Sequence, residues 1–293
     1  AELLTHQLKI AQAEATTEVT RLQGQIQEIE IKGKRDGFAT GEPAYLTNPL
    51  KEDGTLIISD RRIPLNGLIS GKTAEFVTDR IHYYNNQDSK LPIFIVIDES
   101  PGGSVMAGYR ILKAMEASKA PIHVVVKSFA ASMAGAITTL AEESYAYPNA
   151  IILHHQISAT IIGRLNLTQQ EELVKESQRW WVRLGTPIAE KMGLTREEFI
   201  ERMYKQSSSG DWSEFGLEAQ KLNWVKHIVT GIEETSLRRD PDAEAAKKKA
   251  EAVRRTALEE TLDENGLPVM YLPRINPKDV YFLYNPDGYY RAR

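Results

Sequence analysis

The chain contains no cysteine. A thiol nucleophile, a thiolate-bound metal and a disulfide framework are therefore excluded, and the absence fits a reducing or an oxidising compartment equally. No stretch approaches the ~18 consecutive apolar residues of a membrane span, so no transmembrane segment is read in this sequence. An excess of one charge is also missing. With 36 Lys+Arg against 40 Asp+Glu, the formal net charge is −4, which gives no electrostatic footing for nucleic acid. The short run Lys247-Lys248-Lys249 is flanked by acids and reads as the solvated face of a helix.

The 293 residues suffice for one large core, or one core with appended elements. Residues 2–32 have few breakers, and Val19, Leu22, Ile26 and Ile29 follow a 3-4-3 step, which predicts a single helix with a coiled-coil-like seam. Gly33 to Gly54 is rich in Gly, Pro and Asn and reads as a linker. From Thr55 the pattern alternates strand and helix. Strands are expected at Thr55–Ser59, Ile93–Ile97, Ile122–Val126, Ala150–Leu153 and Trp224–Ile228. Helices are expected at Lys72–Asn85, Val105–Ser118, Ser132–Ala141, Leu167–Met192, Thr195–Lys205 and Gly216–Leu222. Apolar strands in β-α alternation predict an α/β fold with a largely parallel, buried sheet. Pro241–Glu260 is charged and Ala-rich and is expected to be helical. Val269–Arg293 places Tyr271, Tyr281, Phe282, Tyr284, Tyr289 and Tyr290 among prolines, too aromatic for a free tail without a binding surface. The expected organisation is an N-terminal helix and linker over 1–52, a strand–helix domain over 53–234, and a charged helix with an aromatic tail over 235–293.

Ligands gather at the carboxyl ends of strands in such sheets, and three candidate groups follow strand ends. Ser132 lies among small residues in Ser128-Phe129-Ala130-Ala131-Ser132-Met133-Ala134-Gly135. Downstream, Pro148-Asn149 leads a strand into His154-His155-Gln156, and upstream stands Ser100-Pro101-Gly102-Gly103. A serine hydroxyl needs a neighbouring base to take its proton as it attacks. His155 is the candidate base, with His154 beside it a second. A carboxylate must orient the imidazole, and Asp211, on the Ser207-Ser208-Ser209-Gly210 loop, is the candidate. The backbone N–H groups of Gly103 and Met133 are candidates to hold an oxyanion. Taken singly, each has a bland reading: Ser132 as a small residue for helix packing, His155 as a structural imidazole, Gly102-Gly103 as a turn, Asp211 as an N-cap. Jointly they point to acyl transfer.

The motifs Ser-Pro-Gly-Gly, Ala-Ala-Ser-Met, Pro-Asn-x5-His-Gln, and Asp211 followed by Glu218-Ala219 closely resemble the proteolytic subunit of the Clp protease family, over about residues 53–230. The resemblance implies a ClpP/crotonase-type spiral of β-β-α units with Leu167–Met192 as a protruding handle. It implies Ser132 as nucleophile, His155 as base, Asp211 as orienting acid, and Gly103 and Met133 as the oxyanion hole of a serine endopeptidase. It further implies homo-oligomeric rings, often stacked, enclosing a chamber for polypeptide substrates. No cofactor is expected in this subunit; ATP would be used only by a partner unfoldase, which could engage the N-terminal helix or the C-terminal tail. Here Ser128 stands where the family usually has Gly, and Gln156-Ile157-Ser158-Ala159-Thr160 lacks the family's Gly-Gly. The alternatives weighed are a scaffold or adaptor that kept the fold, a crotonase-type acyl-CoA enzyme, and a signal-peptide-peptidase-like enzyme with Lys175 or Lys191 as base. A cytoplasmic location is expected, with export the alternative because the sequence opens at Ala1 rather than at Met.

Overall fold

The computed structural model describes residues 38–39, 41–158, 164–235, 238–239, 260–274 and 279–292. The predicted helix over 2–32 and nearly all of that over Pro241–Glu260 lie outside them. The chain forms two compact units, one of residues 1–42 with 236–255 and the other of 43–235 with 256–293. In the first, β1 (Phe38–Ala39) pairs antiparallel with the later strand Arg238–Arg239.

The second unit begins with β2 (Thr55–Ile58), β3 (Arg62–Pro64) and β4 (Leu68–Ile69), then α1 (Gly71–Gln87). β5 (Ile93–Ser100), β6 (Gly102–Ser104) and α2 (Val105–Glu116) follow, then β7 (Ile122–Ala131) and α3 (Met133–Leu140). Next come β8 (Glu143–Ala146), β9 (Ile151–His154), α4 (Leu167–Lys191) and α5 (Arg196–Gln206). β10 (Trp212–Phe215), α6 (Gly216–Lys221), β11 (His227–Ile228) and β12 (Gly231–Glu234) complete the stretch before Arg238–Arg239 (β13). The distal part adds β14 (Glu260–Leu262), β15 (Pro268–Tyr271), β16 (Tyr281–Leu283) and β17 (Tyr290–Arg291).

This is a mixed α/β fold around parallel strands. β3, β5 and β7 run parallel, and both faces of β5 are buried. Ile93, Ile95 and Ile97 enter the main core, while Phe94 and Val96 pack with Leu56, Ile58 and Val229 under the β2–β12 pair. The period of two in a continuously apolar run thus feeds two cores at once.

On the edge away from β5, β7 has two successive partners. Its first half, His123–Val126, pairs with β8, and its last residues, Phe129–Ala131, pair with β9. The fork at Lys127-Ser128 lets one long strand leave its first neighbour and deliver Ser132 beside the end of β9. Helix ends follow from local chemistry. Ser70 and Ser104 cap α1 and α2, and Thr195 and Glu198 form a reciprocal capping box on α5, as the acidic first turn predicts.

One expectation shifts. The strand expected over Trp224–Ile228 shortens to His227–Ile228, because Trp224 is fully buried and its indole N–H reaches the Met192 sulfur. On α4, Trp181 is buried and stacks on Phe199, while Trp180 meets Tyr109 edge-on. Leu167, Val174 and Val182 are the exposed apolar residues of that helix.

Candidate active site

Strand register builds the site. In the β7–β9 pair Ala131 lies opposite Leu153, so the next residues are Ser132 on one strand and His154-His155 on the other. In the antiparallel β9–β10 pair Trp212 lies opposite His154, which brings the preceding Asp211 alongside His155. Three sequence-distant groups therefore meet because two ladders share one strand.

Ser132 has φ of 60° and ψ of −119°. A non-glycine residue there is sterically costly and marks an enforced turn. Its N–H donates to Leu153 O at 2.8 Å, and its own carbonyl accepts from Ala136 N–H at 2.8 Å, opening α3. The side chain does not cap that helix. It turns instead to His155, with Oγ 2.7 Å from Nε2. Both residues are buried. Burial pushes the His155 imidazole down to about 4, outweighing the opposing pull of the Asp211 charge and of the Gln156 backbone. The imidazole is thus neutral at pH 7, the form that accepts a proton.

His154, the other candidate base, points elsewhere. Its Nε2 lies 2.9 Å from Thr139 Oγ1, and its ring meets Trp224 edge-on at 4.6 Å. Full burial lowers it to about 3. It is a packing residue. Lys175 pairs with Glu171, and Lys191 donates to Ala141 O, so neither lysine reaches Ser132.

Asp211 lines one cavity of about 330 Å³ with His155, Tyr204 and Leu283. No hydrogen bond joins Asp211 to His155; its carboxylate accepts from Ser209 Oγ at 2.7 Å. The acid is adjacent but turned aside.

The glycine pair lies beside Ser132 and the start of α3. Gly103 has φ of +153°, and a methyl group on it would stand 2.2 Å from Ile69 O. Glycine is required there because β4 pairs parallel to β6 at that point. A methyl group on Gly102 would lie 2.8 Å from Met133 N, 2.8 Å from Ser132 Cβ and 2.5 Å from Phe282 O. The two glycines thus open a space onto which Ser132, the first N–H of α3 and a carbonyl from the distal segment converge.

That carbonyl comes from a residue absent from the site read in the sequence. β16 pairs antiparallel with β6, placing Phe282 opposite Gly103. Phe282 is fully buried, and its ring centroid lies 4.8 Å from that of His155. The only signal in the sequence was the aromatic density of 269–293. It indicated a binding surface but gave no register.

The Clp protease family model matches residues 51–218, more than half of the chain, and the chain belongs to that family. The ATP-dependent Clp protease proteolytic subunit of Leuconostoc citreum (strain KM20) is 27% identical to it over 171 residues, 58% of this chain and 77% of that protein. The match ends before β11, so the distal strands lie outside it.

Proposed function

We propose that this chain is a serine endopeptidase of the Clp type, hydrolysing peptide bonds in unfolded polypeptides through an acyl-enzyme. The observation that carries the reading is the 2.7 Å contact between Ser132 Oγ and a buried, neutral His155 Nε2, on a turn where serine is strained. In this reading Ser132 Oγ attacks the carbonyl carbon and His155 takes its proton. The tetrahedral oxyanion is held by the N–H groups of Gly103 and Met133, and the N-terminal end of α3 favours the same charge. Collapse of the intermediate expels the amine, protonated by His155, and leaves the acyl group on Ser132. Water, deprotonated by the same imidazole, then releases the acid. Asp211 swings to the imidazole to fix its tautomer and stabilise the imidazolium.

The architecture supported by family membership is the spiral of β-β-α units, with α4 as the handle. We read Leu167, Val174 and Val182 as contacts of a homo-oligomeric ring enclosing the sites, since a lone subunit leaves them in water. No cofactor takes part in the proposed chemistry, and ATP would act only through a partner unfoldase. Prolonged exposure to a fluorophosphonate, with the adduct located by mass spectrometry, tests the reading. A single adduct on Ser132, absent from Ser132→Ala and strongly reduced in His155→Ala, is expected; labelling elsewhere that persists in Ser132→Ala overturns it. A ring mass by light scattering at micromolar concentration is expected, and a monomer would remove the chamber.

A further inference from the structure

Segment 279–292 is built onto the site from both sides of Phe282. Upstream, the Asp279 carboxylate accepts from Ser104 Oγ and, at 3.0 Å, from Met106 N–H, tying it to the first turn of α2. Downstream, Tyr289 O accepts from Met270 N–H and Arg291 O from Leu272 N–H, while Asn285 bonds both backbone groups of Tyr290. Leu283 packs with Leu68 and Leu272, and Val280 and Phe282 enter the main core.

The hydrogen-bond pattern fixes what the strand does at its centre. Val105 N–H donates to Val280 O and Tyr284 N–H to Pro101 O, each at 2.9 Å. These bonds flank the Phe282–Gly103 pair at two residues on either side. By the alternation of antiparallel ladders, that pair is itself a hydrogen-bonded one. The Gly103 N–H, a donor of the proposed oxyanion hole, is therefore turned to Phe282 O. That same oxygen faces the point shared by Met133 N and Ser132 Cβ. An extended peptide added to an open strand edge, with one carbonyl at the oxyanion donors, is how a polypeptide would be presented for attack.

We propose that segment 279–292 is a cis-acting occupant of the substrate groove: it adds to β6 as a strand, sets the Phe282 carbonyl where the attacked carbonyl of a polypeptide would lie, and shuts off Ser132 until displaced. This rests on the serine-peptidase reading above. Three observations belong together under it. Ser132 is wholly buried, the Phe282 ring covers His155, and Asp211 is disengaged from the base. Anchors on both sides of Phe282 make the segment a held inhibitor. The groove itself favours a large apolar side chain at the attacked residue, since that is the position Phe282 fills.

The absence of native cysteine allows a direct test. Ser104 and Tyr281 are directly opposed and lie between hydrogen-bonded pairs, where facing Cα atoms are about 4.5 Å apart, a span a disulfide bridges. The full-length double variant Ser104→Cys/Tyr281→Cys should form an intramolecular disulfide under mild oxidation, seen by mass. Oxidised, it should label with fluorophosphonate at Ser132 at least about 10-fold more slowly than when reduced, because the open fraction sets the rate. Phe282→Asp, which unseats the strand, should label faster than wild type. Failure of the disulfide to form overturns the occupancy, and equal labelling of locked and reduced protein overturns the blockade. If the disulfide forms but Ser132 stays unlabelled in every variant, the groove is occupied as proposed and the peptidase reading fails instead.

Discussion

Ser132 and Asp211 face one imidazole, yet the chain holds them by different means. Ser132 is fixed by backbone: a parallel ladder, a hydrogen bond to Leu153 O, a strained turn and the first turn of a buried helix leave its Oγ a single direction. Asp211 stands at the edge of a Ser/Gly loop, half-buried, with its carboxylate engaged by Ser209. The Ser132–His155 contact is set by backbone, whereas the Asp211 carboxylate is held only by a loop side chain. Deep burial supplies geometry that persists, and the loop supplies a group that can be switched.

The comparison breaks most sharply at the serine. Ser132→Ala should abolish fluorophosphonate labelling and lower peptide hydrolysis by roughly 10⁵-fold or more, as removal of a serine nucleophile does elsewhere. Thermal unfolding should come a few degrees earlier, since the side chain caps no helix but its loss leaves the buried His155 Nε2 without its partner, at a cost of about 1–3 kcal/mol. Asp211→Asn should cost less, on the order of 10³- to 10⁴-fold in kcat, the loss attached to an unoriented imidazole. Measured in the Phe282→Asp background, it separates the acid's contribution from the blockade. A wild-type rate for Asp211→Asn would mean that the carboxylate never reaches His155, and the acid half of the site would be lost.

The two halves were not equally legible in the sequence. The apolar runs at Ile93 and Ile122 and the capping box at Thr195 announce the sheet and helices, because burial and capping are local and periodic. Ser132, His155 and the glycine pair were readable since each follows a strand end in a parallel sheet. What was not readable depends on registers between distant segments. Strand β10 has no apolar alternation strong enough to announce it, so nothing local says that Trp212 will face His154 and carry Asp211 to His155. Likewise, the aromatic tail advertised a contact, but only the Phe282–Gly103 pairing shows which. The Asp211–Ser209 bond is a rotamer choice that no spacing encodes.

Protons offer a gentler way to sharpen the comparison. Burial lowers three imidazoles, His123 and His155 to about 4 and His154 to about 3. Between the ordinary histidine value near 6.5 and these native values, the unfolded chain binds more protons than the native one. Stability is therefore fully present above about pH 6.5 and falls as pH drops through the window, by about 1.4 kcal/mol per pH unit for each histidine that stays neutral in the native state. Denaturant titrations at pH 7 and pH 5 should show it. Activity should follow His155 alone. Its acid limb should lie below the ordinary histidine range in wild type and rise in Phe282→Asp, where removal of the covering ring admits water to the imidazole. Superimposable limbs would show that Phe282 does not desolvate the base.

The smallest effect tests the switch itself. Ser209 Oγ holds the Asp211 carboxylate at 2.7 Å, in competition with the bond that Asp211 needs to make to His155. A hydrogen bond to a charged group at an exposed site contributes modestly, so removing it shifts the balance without remaking the site. Ser209→Ala should raise peptide hydrolysis about 2- to 5-fold in the Phe282→Asp background, by enlarging the fraction of enzyme whose acid has turned to the imidazole. In the disulfide-locked enzyme the same substitution should change nothing, because the attacked carbonyl's place is already filled. A fall in rate on Ser209→Ala would give Ser209 the opposite role, a prop that aims the acid at His155. The loop would then be as preformed as the serine turn, and the contrast between the two halves would disappear.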